Sequence, residues 1–187
     1  MAQHLYPTRK LSNVQWTGFP LGLQDIIYAI DEPSADDTDY IQLAGPAAAQ
    51  AIEFKISNGK QPADTTQPHL LRWRARSVNG VGLNEGIFAD LFRFSDSQQI
   101  TVNPAVIVSR TGFTDYSYTL TQDEVDLITD YEDLLMRLRG TCQAGEFIRI
   151  SWAEVQVPSE ATQPNDGAWL TKGWWRKKPS SRPLMLG

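Results

Sequence analysis

The chain holds two histidines, His4 and His69, and one cysteine, Cys142, so imidazole or thiolate chemistry must draw on these three. The histidines offer no spaced ligand pair for zinc and no catalytic base with a partner. Ser151-Trp152 lacks the G-x-S-x-G elbow of serine hydrolases. Carboxylates are abundant enough for a glycosidase pair, yet no spacing marks one. The densest acidic cluster is Asp31, Glu32, Asp36, Asp37 and Asp39. Its oxygens suit calcium, but the EF-hand order with its turn glycine is missing. A solvated loop held by side-chain-to-backbone turn bonds is the expectation there. Glycines at residues 79–86 are followed by no P-loop lysine and no helix pattern, so they predict a hairpin loop. The sequence thus predicts a non-enzymatic protein with no catalytic, cofactor-binding or metal-binding residue.

What remains is surface recognition. Arg72, Arg74 and Arg76 alternate with Leu71, Trp73 and Ala75, and Arg137 and Arg139 repeat the pattern further on. Such rows can face phosphate or carbohydrate; the expectation here is a solvated sheet face paired with acidic neighbours. Trp16 and Phe19 can stack on sugars or fix an arm to the body or to a neighbouring subunit. Trp169, Trp174 and Trp175 carry too much apolar surface for a merely solvated tail, and Arg176-Lys177-Lys178 call for acidic partners. These eight residues (Trp16, Phe19, Trp169, Trp174, Trp175, Arg176, Lys177, Lys178) are the predicted partner-binding set, with aromatic anchors and a basic run for orientation.

The elements that must position them are short strands. Ile52, Phe54 and Ile56 alternate with polar neighbours, and Asn58-Gly59 ends the run with turn chemistry. Residues 70–78 form the clearest strand, with the Trp73 face inside because three guanidinium groups cannot be buried. Further strands are predicted at 88–95, 105–109, 115–120, 134–139 and 147–157, and a strand or turn at 26–30. Thr121 and Glu124 form a capping box, flanked by Leu120 and Val125 as a hydrophobic staple, so one short helix is predicted to end near Asp130-Tyr131. Seven or eight such strands predict an all-β fold, an antiparallel β-sandwich of jelly-roll type with one short helix. Extended arms flank it: residues 1–25, broken by Pro and Gly, precede the domain at 26–158, and a tail at 159–187 follows.

Charge divides along the same lines. The chain of 187 residues carries a formal −5, yet from Pro158 onward five basic residues stand against two acidic ones. An acidic body with a basic end attracts copies of itself or an acidic lattice, and repels nucleic acid. A single cysteine excludes an internal disulfide framework. No charged-then-apolar leader and no apolar run of about 20 residues is present, so no membrane partner and a cytoplasmic site of synthesis are expected.

Several elements in one order resemble a family of small jelly-roll proteins of tailed-bacteriophage virions. They are Trp16-Thr17-Gly18, the acidic stretch from Ile30 to Ile41, the arginine strand at 72–76, the capped helix leading to Leu134, and the strand from Ser151 to Pro158. The match runs over about residues 14–158. It implies a capsid decoration (cement) protein, a homotrimer on the virion surface that bridges capsomers of the major capsid protein and uses no cofactor. The alternative it implies is a carbohydrate-binding, lectin-like module of a tail or fibre that contacts the host surface.

Overall fold

The computed structural model describes residues 2–13, 15–19, 26–79, 85–101 and 106–159. Twelve strands among them form two antiparallel sheets: β1 (Gln3–Leu5), β2 (Pro7–Asn13), β3 (Trp16–Phe19), β4 (Tyr40–Ala44), β5 (Ala47–Ile56), β6 (Leu70–Val78), β7 (Gly86–Arg93), β8 (Gln99–Thr101), β9 (Val106–Ile107), β10 (Thr114–Thr119), β11 (Leu134–Cys142) and β12 (Phe147–Val157). The first sheet runs β10-β6-β12-β4-β3, with β1 also paired to β12; the second runs β2-β5-β11-β7-β8, with β9 paired to β7. This is the expected all-β sandwich.

Period-2 alternation decides which side chains meet between the sheets. Leu71, Trp73, Leu134, Met136, Leu138 and Ile150, all predicted as core, are buried, and Trp73 is wholly enclosed. Arg72, Arg74 and Arg76 point to the other face of β6. Helix α1 (Gln122–Asp126) has the predicted capping box: the Thr121 hydroxyl accepts from the Glu124 N–H, and the Glu124 carboxylate accepts from the Thr121 N–H at 2.7 Å. Leu120 and Val125 are both buried beside it.

Two local expectations change, and the strand or turn expected at 26–30 is a turn. The helix stops at Asp126 rather than near Tyr131: the N–H groups of Leu127 and Ile128 donate back three residues to Glu124 and Val125, closing it in a tighter turn, and Asp130 then accepts from the Glu132 N–H at 2.8 Å. Residues 26–29 form a 3₁₀ turn that buries Ile26, Ile27 and Ala29. The strand predicted at 105–109 is reduced to the two residues of β9. The stretch expected as an N-terminal arm is extended, but its backbone groups are used by the sheets: β1 pairs with β12, β2 with β5 and β3 with β4. Pro and Gly break helical periodicity, which leaves extended chain, and extended chain beside a sheet edge completes its hydrogen bonds there. The tail at 159–187 lies outside the described residues from position 160 onward.

One irregularity organises the surface. Strand β12 keeps Ile148 and Ile150 inside, then a bulge at Ser151 resets the alternation. Ile150 lies opposite Ala75, while Trp152 lies opposite Arg74 and Glu154 opposite Arg72. The extra residue turns Trp152 and Glu154 to the outer face, with Ala153, Val155 and Val157 inside.

Candidate functional site

The outer face of the first sheet gathers polar and aromatic side chains from five strands. At one end is an open cavity of about 340 Å³ walled by His4, Tyr6, Arg72, Trp152, Glu154 and residues 33–35 of the acidic loop. Glu154 is fully buried at its floor, where its two oxygens accept from Arg72 Nη1 at 2.9 Å and His4 Nδ1 at 2.8 Å. The Arg72 guanidinium lies 5.1 Å from the Trp152 ring, and the Trp152 indole N–H donates to the Glu32 carbonyl at 2.9 Å. The wall is therefore rigid, fixed by packing and by charge-assisted hydrogen bonds.

The acidic loop is pinned over this face. Asp37 accepts from Arg74 through both oxygens at 2.8 Å and from the Ser151 hydroxyl at 2.9 Å, and the Arg74 pairing holds its carboxyl below the usual range. Asp36 accepts from the Thr38 N–H and hydroxyl, the turn bond the sequence predicts. On the far side of the loop, carboxylate oxygens of Glu32, Asp36 and Asp39 lie within 4.8 Å of one another. Burial, then mutual repulsion, raises the Glu32 and Asp39 carboxyls. Three such oxygens could hold a hard cation such as calcium.

At the other end of the face, Arg149 stands directly opposite Arg76 across β12 and β6, and opposite Gln42 across β12 and β4. Arg149 lies 4.5 Å from the Tyr40 ring and donates from Nε to the Gln42 side chain at 2.8 Å. Arg76 lies 4.9 Å from the Phe113 ring. Phe19 stacks on Tyr40 at 4.7 Å and is 39% exposed, so an aromatic surface flanks the two guanidinium groups. Burial, with Arg76 adding to it, holds Arg149 below the usual guanidinium range.

The arginine rows divide. Arg72 pairs with Glu154, Arg74 with Asp37 and Asp115, Arg137 with Glu53, and Arg139 with Asp90. Those four are the solvated, acid-paired rows expected. Arg76 has no ion pair and no hydrogen bond among the described residues, and its Nε is buried without a partner.

Of the predicted partner-binding residues, Phe19 lies on this face. Trp16 does not offer itself to a partner: it is buried, and its indole N–H donates to the Gln50 carbonyl at 3.1 Å. Its ring fits over Gly140, where a Cβ would come within 3.1 Å of it, so it fixes its own strand to the second sheet. Trp169, Trp174, Trp175, Arg176, Lys177 and Lys178 lie outside the described residues. Tyr40, Gln42, Arg149, Trp152 and Glu154 were not singled out from sequence. The readable signal was the phase shift in β12, where apolar residues move from even positions (Ile148, Ile150) to odd ones (Ala153, Val155, Val157).

The Ser151 hydroxyl donates to Asp37, and burial pushes the Cys142 thiol up to about 11.

No protein-family model and no curated protein matches the chain. Among solved structures it is similar to the xylan-binding module CBM15, at 10% identity and a TM-score of 0.50, covering 84% of this chain and 98% of that one. It is also similar to the CBM22-1 xylan-binding domain of Paenibacillus barcinonensis Xyn10C, at 11% identity and a TM-score of 0.45, covering 84% and 94%. The bacteriophage CBA120 tailspike protein 4 enzymatically active domain matches at 11% identity and a TM-score of 0.42, covering 83% of this chain and 19% of that one. At these identities the likeness is one of fold: the chain is a β-sandwich of the jelly-roll kind seen in carbohydrate-binding modules.

Proposed function

We propose that this protein is a carbohydrate-binding module that recognises a polysaccharide on the outer face of the sheet β10-β6-β12-β4-β3, without catalysis. The observation that carries the reading is the alternation of rings and planar polar groups on that face. Phe19, Tyr40 and Phe113 adjoin Arg149, Arg76 and Gln42 at one end, and Trp152 adjoins Arg72 above a 340 Å³ cavity at the other. A sugar offers an apolar C–H face that packs on a ring and an edge of hydroxyls that need fixed donors and acceptors. Strands hold both kinds of group in place before the ligand arrives, which limits the ordering cost of binding. The fold likeness to CBM15 points the same way.

The capsid-decoration reading drew on Trp16 and on the tail. Trp16 is a core residue, and the tail lies outside the described residues, so the sheet face carries more weight. The virion setting implied by the sequence resemblance fits this function on a tail or fibre, where a binding module meets host-surface polysaccharide.

The test is affinity electrophoresis and calorimetry of the full chain against a panel of plant and bacterial polysaccharides. Binding to at least one is expected. Phe19→Ala and Arg72→Gln should each weaken it by roughly tenfold, the loss of one stacking surface or one charge-assisted hydrogen bond. Absence of binding to every polysaccharide, alongside saturable binding to undecorated phage capsids, would move the assignment to decoration.

A further inference from the structure

The Arg76–Arg149 pair presents an arrangement that stability alone does not favour. Directly opposed residues on neighbouring antiparallel strands sit with Cα atoms about 4.5–5.5 Å apart, and like charges so placed repel. The carboxylates that pair on the sheet face among the described residues are committed elsewhere: Glu154 to Arg72 and His4, Asp115 to Arg74, and Asp37 to Arg74 and Ser151. Asp37 senses the Arg76 charge, but both its oxygens are taken by Arg74. Arg149 donates from Nε to a neutral amide, and Arg76 donates to no described residue. This local double positive charge stands on a chain of formal charge −5.

The guanidinium planes are also held. Arg76 lies over Phe113 and Arg149 over Tyr40, so the rings fix orientation, and of the two guanidinium groups only Arg149 Nε donates to a described residue. A planar acceptor with two oxygens matches guanidinium N–H edges, and a carboxylate is that acceptor. The exposed Phe19 ring beside the pair supplies a stacking surface for the sugar that would carry it.

Resting on the carbohydrate-binding reading, we infer that Arg76 and Arg149 form an anion subsite selecting a uronic-acid carboxylate, so that the ligand is an acidic polysaccharide. A carboxylate bound there offsets the repulsion between the two arginines.

The experiment measures full-chain affinity for polygalacturonate, alginate, glucuronoxylan and hyaluronan, each beside its carboxyl-reduced form, with a sulfated galactan as a further arm. At least one carboxylated polymer should bind roughly tenfold or more tightly than its reduced form, with the preference shrinking in about 0.5 M salt. In Arg76→Gln and Arg149→Gln the two forms should bind alike, and Arg76→Lys, which keeps the charge but loses the fork, should keep part of the preference. Thermal unfolding of each variant checks that it folds. Equal affinity for carboxylated and reduced forms in every pair, or a preference that survives in the glutamine variants, overturns the subsite and leaves the carbohydrate reading standing. An arginine-dependent gain on the sulfated galactan alone overturns the carboxylate assignment. Absence of binding to every polymer here overturns the subsite, and the carbohydrate reading falls with it only if the wider plant and bacterial panel is also negative.

Discussion

Acidification should destabilise this protein through one histidine. His69 is fully buried, with Nδ1 2.9 Å from the Gln67 carbonyl oxygen and Nε2 2.8 Å from the Tyr131 hydroxyl. A carbonyl oxygen only accepts, so Nδ1 carries the proton and the Nε2 lone pair accepts from Tyr131. That is a complete arrangement for the neutral ring. Burial lowers the His69 pKa below its ordinary 6.5, opposed only by the Gln67 carbonyl, and it raises Tyr131 to about 12, so the tyrosine stays a donor. The folded state thus binds fewer protons than the unfolded state once pH drops through about 6.5. Stability contributed by the neutral ring is present above that pH and declines as pH falls, until the lowered folded pKa is reached. The slope is at most about 1.4 kcal/mol per pH unit, against a total of roughly 5–15 kcal/mol. Urea unfolding followed by tryptophan fluorescence at about pH 7.5, 6.5 and 5.0 measures it. His69→Gln, which can still accept from Tyr131, lowers stability at neutral pH but removes this slope. The carboxyls held low, Asp37 and Glu124 among them, titrate further down and are common to both proteins. If wild type and His69→Gln differ by a constant offset at every pH, the buried neutral imidazole is not the acid-sensitive group.

Three further outcomes are expected. Trp73→Ala should cost about 3–5 kcal/mol in urea unfolding, whereas Trp73→Phe should cost much less, because the indole N–H it removes is buried without a partner. Thr121→Ala should cost about 1 kcal/mol by removing the N-cap of α1, with faster amide exchange confined to residues 122–126. Arg139→Ala leaves the buried Asp90 carboxylate unpaired and should cost about 3–5 kcal/mol, while Arg76→Gln, which breaks no pair, should stay within about 0.5 kcal/mol of wild type or stabilise it.

The strands and the cap were legible because each is written in a local period. Leu70–Val78 alternates without interruption and was bounded correctly, and the Thr121–Glu124 box identified its helix from four residues. Sequence reading was weaker where tertiary partners decide. Thr17 and Gly18 carry no strand signal of their own, yet they pair with Gln42 and Ile41 because β4 leaves an edge to be completed. Trp16 reads as an exposed aromatic in a Gly- and Pro-rich stretch; only the missing side chain of Gly140, more than a hundred residues away, makes room for it.

The candidate site was hidden for a related reason. Its residues come from five strands and are neighbours only through register. Arg149 reads as one more polar position on β12 until pairing sets it opposite Arg76 on one side and Gln42 on the other. Then the arginine rows, alike in sequence, separate into four that have carboxylates and one that does not. The bulge at Ser151 acts at the other end by turning Trp152 and Glu154 outward to meet Arg72 and His4. Were the same residues to run on from Ile150 in unbroken alternation, Trp152 and Glu154 would turn to the core side, where a carboxylate is costly without a cation. A uniform strand would complete the core more simply, so the bulge and the unpaired arginine are departures from plain sandwich packing on this sheet. Both lie on the face to which binding is assigned: the bulge builds the cavity wall from Trp152 and Glu154, and Arg76 is the guanidinium left without a carboxylate.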